Sequence, residues 1–234
     1  MTKKISIILS SYNEALTIEN TINELRKNIK NLELIIIDDN SPDGTFEIIK
    51  KYQDENTRIF CRRSSKGLAS AFLCGLLYST GEIIGWLDSN MSELAKHFPK
   101  MEKELKEYDL VLLSRYTNNE KNDQRNIIRV VFSKFINKFC NIFLTNTIKD
   151  FTSSIFIMNK NVLQKVVPIS YGHGEFFVEF LYGCYKKNVK IKEIPYIQVN
   201  DTEGNSKTAP NFFVFMYLGL FYLTRIIISK IRRD

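Results

Sequence analysis

The chain has 234 residues, 44% of them apolar, which suits one sizeable domain with a short appendage. Its net charge of +7 favours an anionic partner such as nucleotide phosphates or a membrane surface; the excess is not gathered in one basic block, which sets nucleic acid aside. Cys61, Cys74, Cys140 and Cys184 have neither metal-ligand nor framework spacing, which excludes a zinc site and a disulfide scaffold and fits reduced thiols in a cytosolic setting.

"MTKK" runs straight into a strand pattern, so no signal peptide is expected. "ISIILS" (Ile5–Ser10) reads as a buried strand, and Ile18, Ile22, Leu25 and Ile29 then recur at helical spacing. "LELIIID" predicts a second strand, Asp43–Tyr52 a helix, "RIFCR" (Arg58–Arg62) a third strand, and Lys66–Thr80 a helix that stops at Gly81. "EIIGWLD" and "DLVLLSR" (Asp109–Arg115) predict two further strands. Runs such as "LIII" do not alternate, so both faces are expected to be buried, as in a mostly parallel sheet with helices on both faces. Beyond Arg115, "TNNEKNDQRN" reads as a loop. A helix over Ile127–Leu144 follows, with Phe132, Phe135, Ile136, Phe139 and Phe143 on one stripe. A short strand "IFIM", a helix from about Asn161, a helix over Phe176–Lys187 and an edge strand "VKIKEIPYIQV" complete this region.

The polar clusters fall where strands end: "SSYNE", "DDNSPDGT", "DSN" and "SRY". In an open parallel sheet these ends share one edge, where ligands bind, so Glu14, Asp38, Asp39, Asp88, Asn90 and Arg115 should converge there. Carboxylates drawn together need a cation between them. Hard oxygen ligands suit Mg²⁺ or Mn²⁺ held on a diphosphate, hence a nucleotide-type donor. With neither GxxxxGK[ST] nor GxGxxG, a P-loop ATPase and a Rossmann dehydrogenase are disfavoured.

"SSYNE", "DDNSPDGT", "KGLASAF", "LDSN", "LLSRY" and "DFTSSIF" occur in an order that resembles the family 2 glycosyltransferases of GT-A fold, most of all the dolichol- or polyprenyl-phosphate sugar synthases. The resemblance covers about residues 3–209 and implies a catalytic domain over 1–209; residues 210–234 are expected to form a membrane-associating helix on the composition of the tail. The resemblance also implies that Tyr12, Glu14 and Asp39 contact the base and ribose of a nucleotide-sugar donor, that Asp38 supports them, and that Lys66 lies near the nucleotide. Asp88 and Asn90 would hold Mg²⁺ or Mn²⁺ on the diphosphate. Arg115, Arg125 and Arg129 would receive the acceptor phosphate, and Asp88, Arg115 and Asp150 would form the catalytic set. The chain departs from the family pattern in three places: Ser10 stands for Pro, Ser154 for Gly, and "DSN" for "DAD". Asn90 offers a neutral carbonyl oxygen and no charge, or else caps the following helix together with or instead of Ser92.

The implied reaction moves a sugar, with inversion, from a nucleoside diphosphate (GDP-mannose or a UDP-hexose) to a polyprenyl phosphate such as dolichyl or undecaprenyl phosphate. A phosphate acceptor is already anionic and needs guanidinium groups rather than a base. A hydroxyl acceptor on a glycan, glycolipid or protein would need one, with Asp150 or Glu175 as candidates. His97 and His173 are expected on the surface or in loops. A silent nucleotide-sugar-binding protein is the alternative from another class. In the tail, Phe212–Leu223 carries no charge but as a helix covers only about 18 Å, short of the ~30 Å hydrocarbon core. Lys230, Arg232 and Arg233 follow it. The expectation is an interfacial helix at the cytoplasmic face of a membrane, in preference to a span or to a helix packed in the core or an oligomer.

Overall fold

The computed structural model describes residues 3–64, 66–117, 123–198 and 212–232. The apolar runs form one seven-stranded sheet of β1 (Ile5–Ser11), β2 (Leu32–Asp38), β3 (Thr57–Cys61), β4 (Ile83–Trp86), β5 (Leu110–Ser114), β6 (Phe156–Asn159) and β7 (Ile191–Pro195), in the order β3-β2-β1-β4-β6-β5-β7. β1 runs parallel to β2 in register from Ile5–Leu32 to Ser11–Asp38, and parallel to β4. β2 pairs with β3 and β5 with β7 in the same sense. Only β6 is reversed, antiparallel to both β4 and β5. The sheet is thus mostly parallel, as the unalternating runs require.

Helices α1 (Ile18–Asn28), α2 (Thr45–Lys50), α3 (Leu68–Tyr78), α4 (Phe98–Glu104), α5 (Ile127–Phe143), α6 (Glu175–Lys186) and α7 (Phe212–Ile231) cover it. Successive strand residues face opposite ways. Ile7 and Leu9 therefore join Ile18, Ile22 and Leu25 of α1 and Phe98 and Met101 of α4 in one core. Ile8 and Trp86 join Phe72 of α3, Phe156 and Phe177 in the other. This is the GT-A arrangement expected of the sequence.

Several element expectations are corrected. The helix expected from Lys66 starts at Leu68, because Gly67 takes φ 123°, a conformation that side chains disfavour. The helix expected from Asn161 is a 3₁₀ turn, Lys160–Gln164. The edge strand shrinks to Ile191–Pro195, and α4 has no counterpart among the expected elements. The aromatic stripe of α5 is divided: Ile136 is buried and Phe132 and Phe139 pack on the core, whereas Phe135 and Phe143 are exposed. All four cysteines are free, and burial pushes the Cys140 and Cys184 thiols up to about 12.

The tail forms α7, which lies against α5 and α6 with Ile226 fully buried and Arg225 paired to Glu179 at 3.0 Å. No helix among the described residues is long and apolar enough to cross a membrane. The expected boundary at residues 209–210 lies outside the described residues.

Candidate active site

A cavity of about 600 Å³ opens at the carboxyl ends of β1, β2 and β4. One half of it is built by the turns after β1 and β2. Asp38 is fully buried and does not reach the cavity. It accepts hydrogen bonds from Ser11 Oγ (3.0 Å), Ser41 N (2.9 Å) and Ser41 Oγ (2.6 Å), which tie the two turns together. Asp43 caps the start of α2 through Thr45 and receives the Ala15 amide at 3.1 Å. Burial works against its charge, but these bonds outweigh it and hold the carboxyl below the ordinary carboxylate range. On this scaffold Tyr12, Glu14, Asp39 and Lys66 line the cavity. Lys66 Nζ stands 4.4 Å above the Tyr12 ring centre, a cation–π contact. Asp39 accepts from Arg62 Nε at 2.7 Å and from the Gly67 amide at 2.8 Å. Arg62, a residue not foreseen as part of the site, also donates to Ser70 Oγ and Gly67 O and so clamps this rim.

Asp88, just beyond the end of β4, lines the cavity. Its Oδ1 accepts from Trp86 Nε1 at 3.2 Å and its Oδ2 from Ser154 Oγ at 3.4 Å. Asn90 is exposed beside it. The following 3₁₀ helix, Ser92–His97, begins after Met91 with no side-chain cap, and Ser92 Oγ accepts instead from Asn20, so the capping role considered for Asn90 or Ser92 is not what this geometry shows. Among the described residues no three acidic, histidine or cysteine side chains cluster as a self-sufficient metal cage. The carboxylate of Asp88, the amide of Asn90 and the hydroxyl of Ser154 are all hard oxygen donors. That set fits Mg²⁺ or Mn²⁺ completed by substrate oxygens.

The arginines separate into two groups. Arg115 and Asp150 are buried and do not line the cavity. Arg115 donates Nε and Nη2 to the two Asp150 oxygens, both at 2.8 Å, and Nη2 also to Thr152 Oγ1 at 2.7 Å. Burial disfavours both charges, but each stabilises the other. Asp150 stays below the carboxylate range and Arg115 well above its ordinary value. A carboxylate so held is a poor proton acceptor, and a guanidinium so occupied is not turned toward a ligand. The pair instead orders the loop before β6, helped by Asn137 Nδ2, which donates to Thr152 at 2.8 Å, and by Glu193, which accepts the Asp150 amide at 3.0 Å. Glu175 is buried too, receiving the His173 amide at 3.0 Å. Arg125 and Arg129, before and on the first turn of α5 respectively, do line the cavity, Arg125 bracing on Asp123 at 2.7 Å. With Thr152, Ser154, His173 and Tyr222 they form its second half.

Residues 6–167 match the family model described as Glycosyl transferase family 2. The chain belongs to glycosyl transferase family 2. Among curated relatives, this glycosyltransferase-family chain is 27% identical over 225 residues to a dolichol-phosphate mannosyltransferase of Pyrococcus furiosus, covering 94% of this chain and 63% of that protein. It is 42% identical over 89 residues to an Escherichia coli UDP-Glc:alpha-D-GlcNAc-diphosphoundecaprenol beta-1,3-glucosyltransferase, covering 37% of this chain and 35% of that one. It therefore spans less than two thirds of either relative. Among solved structures, glucosyl-3-phosphoglycerate synthase of Mycobacterium tuberculosis, crystallised with Mn²⁺, UDP and glucosyl-3-phosphoglycerate, superposes with a TM-score of 0.72 at 17% identity, over 99% of this chain and 81% of that one.

Sequence reasoning missed His173 and Tyr222 in this family member's cavity, and Arg62, which holds Asp39 at its rim. Arg62 closes a strand that ends on the same edge as the others, so the strand-end rule would have found it. His173 and Tyr222 come from a loop and from α7, and no local pattern announces either.

Proposed function

We propose that the protein is an inverting glycosyltransferase that moves a sugar from a nucleoside diphosphate sugar to a polyprenyl phosphate at the cytosolic face of a membrane. The observation that carries this reading is the polarity of this cavity. Tyr12, Glu14, Asp39 and Lys66 occupy the half at β1 and β2. Arg125 and Arg129 occupy the half beyond Asp88, where the described lining holds no carboxylate. A hydroxyl acceptor needs a base to remove its proton. Asp150 is committed to Arg115 and Glu175 is buried behind the wall, so neither of the bases expected for that case is available. A phosphate acceptor arrives already ionised and needs cations.

On this reading the first half binds base and ribose, and Asp39 is pre-oriented by Arg62. Asp88 and Asn90 would hold a divalent ion, with Ser154 beside them; when bound, that ion neutralises the departing diphosphate. Arg125 and Arg129 draw the acceptor phosphate to the opposite side of the sugar. A phosphate oxygen forms the new bond to the anomeric carbon as the bond to the donor diphosphate breaks, and the electron pair leaves on the diphosphate oxygen. No proton has to move. The mannosyltransferase relative supports a lipid phosphate acceptor, and the UDP complex of the structural neighbour supports a nucleotide donor.

The second reading, transfer to a hydroxyl, has in its favour an imidazole, His173, on the cavity lining, and the glucosyltransferase relative. A screen of radiolabelled GDP-mannose, UDP-glucose and UDP-N-acetylglucosamine against undecaprenyl and dolichyl phosphate separates the two. Label in the organic phase as a glycosyl phosphate supports the first reading. Label in glycan or protein favours the second, and no label with any acceptor would leave a silent binding protein. His173→Ala should hold its rate within a few-fold if the acceptor is a phosphate, and lose about 10²–10⁴-fold if His173 is a general base.

A further inference from the structure

One side chain of the acceptor half comes from the C-terminal helix, far along the chain from the strand ends. Tyr222 reaches the cavity from α7, its ring packed on the main core. Its hydroxyl sits over Gly174, the residue that opens α6: a Cβ on Gly174 would lie 2.2 Å from that oxygen and 3.4 Å from Cζ. The glycine is therefore what leaves room for the hydroxyl. Gly174 has φ −67°, so the backbone itself does not call for glycine. Burial, and then the neighbouring Glu175, raise the phenol well above its ordinary 10, so it remains a hydrogen-bond donor throughout the working pH range. The helix that carries it is held by buried Ile226 and by Arg225 and Arg232, which reach Glu179 at 3.0 and 2.6 Å.

We propose that Tyr222 is an acceptor-binding residue whose O–H donates to an anionic oxygen of the acceptor phosphate, acting with Arg125 and Arg129, so that the acceptor half of the cavity is complete only with α7 docked. The donor half is finished without α7, since its residues follow β1 and β2 and precede α3. A phenol can orient a phosphate without adding a charge that would need compensation when the site is empty. The proposal rests on the phosphate-acceptor reading above.

Steady-state kinetics on the full chain, with the radiolabelled donor chosen by the screen and undecaprenyl phosphate in detergent micelles, tests it. Tyr222→Phe keeps the ring and should raise the acceptor KM about ten- to a hundredfold, the scale of one hydrogen bond to a charged group, while the donor KM stays within about twofold. Gly174→Ala should push the hydroxyl aside and raise the acceptor KM in the same way. In the Tyr222→Phe background it should add little, because the clashing oxygen is gone. An unchanged acceptor KM in Tyr222→Phe would overturn the proposal. So would equal rises in both KM values with a lowered Tm, which would assign Tyr222 to packing. If the wild type glycosylates hydroxyl acceptors and no polyprenyl phosphate, the functional reading falls and takes this proposal with it. If the wild type does use the lipid phosphate, an unmoved KM removes only Tyr222.

Discussion

Asp88 brings a single formal charge to the cavity lining, beside an amide at Asn90 and a hydroxyl at Ser154. A divalent ion bound there would take most of its countercharge from the diphosphate of the proposed donor, so ion and nucleotide should bind together rather than in sequence. Trp86, the one tryptophan of the chain, donates to Asp88 and is a built-in reporter. Titrating Mn²⁺ in the presence of nucleoside diphosphate should quench its fluorescence in the wild type and not in Asp88→Ala. The same substitution should cost turnover about a hundredfold or more, the range for removing a stabiliser of developing charge. Asn90→Asp adds a charge and should retain or raise both ion affinity and rate. A variant that binds Mn²⁺ more weakly than the wild type would contradict the reading of Asn90 as a weak ligand.

The elements divide the sheet into a working edge and a stabilising edge. At the working edge Asn13 and Asn40 take φ 59° and 57°, a region asparagine tolerates better than most residues. Each lies next to a site residue, so the tight turns aim the carboxylates. At the opposite edge Glu33 of β2 is nearly enclosed. It accepts from Ser6, from the Thr80 amide at 2.8 Å and from Lys4 at 3.1 Å, and it pairs with Arg58 at 2.7 Å. Burial alone would raise its pKa, but the bonds from Ser6, Thr80 and Lys4 outweigh it and bring the value down from 4.5 to about 2. A depressed carboxyl stabilises the fold above its unfolded pKa and loses that contribution as pH falls through the folded one. Urea midpoints of the wild type should therefore fall between about pH 4.5 and 2. Glu33→Gln should start lower at pH 7 and be flatter across that window. Parallel profiles for the two proteins would show that Glu33 does not join these strands electrostatically.

Over the whole molecule, α5 and α7 lie side by side and leave apolar side chains in water. Ile128, Val131, Phe135 and Ile142 are exposed on α5, and Leu220, Ile227 and Ile231 on α7, with Lys134, Lys138 and Lys230 also exposed on these helices. Apolar side chains with interspersed cations suit the surface of an anionic bilayer. The same two helices deliver Arg129 and Tyr222 to the acceptor half, so a lipid phosphate would be met on the side from which it comes. The protein should co-sediment with vesicles containing phosphatidylglycerol more than with pure phosphatidylcholine. Lys134→Ala combined with Lys138→Ala should weaken that binding by about 2 kcal/mol, roughly thirtyfold, and more at low salt than at high. Equal binding of wild type and variant to both vesicles would remove the electrostatic part of this surface.

The amino-acid order alone determined the parallel core of β1, β2, β4 and β5 and the part of the cavity built by the turns after β1 and β2. Both follow from local facts: continuous apolar runs must be covered on two faces, and residues following parallel strands must share an edge. Tyr12, Glu14, Asp39 and Asp88 line the cavity for that reason, and Lys66 lines it as the family resemblance implied. Tertiary structure alone decided the rest. Nothing near Arg115 in the chain says that its guanidinium is taken up by Asp150, thirty-five positions away. Such a pairing is written in the burial of both charges, and burial belongs to the assembled sheet. Likewise a charge-free run near the C-terminus looks the same whether it lies on lipid or on protein. Only the seat of Ile226 in the core and of Tyr222 over Gly174 distinguishes a helix that also builds the cavity wall.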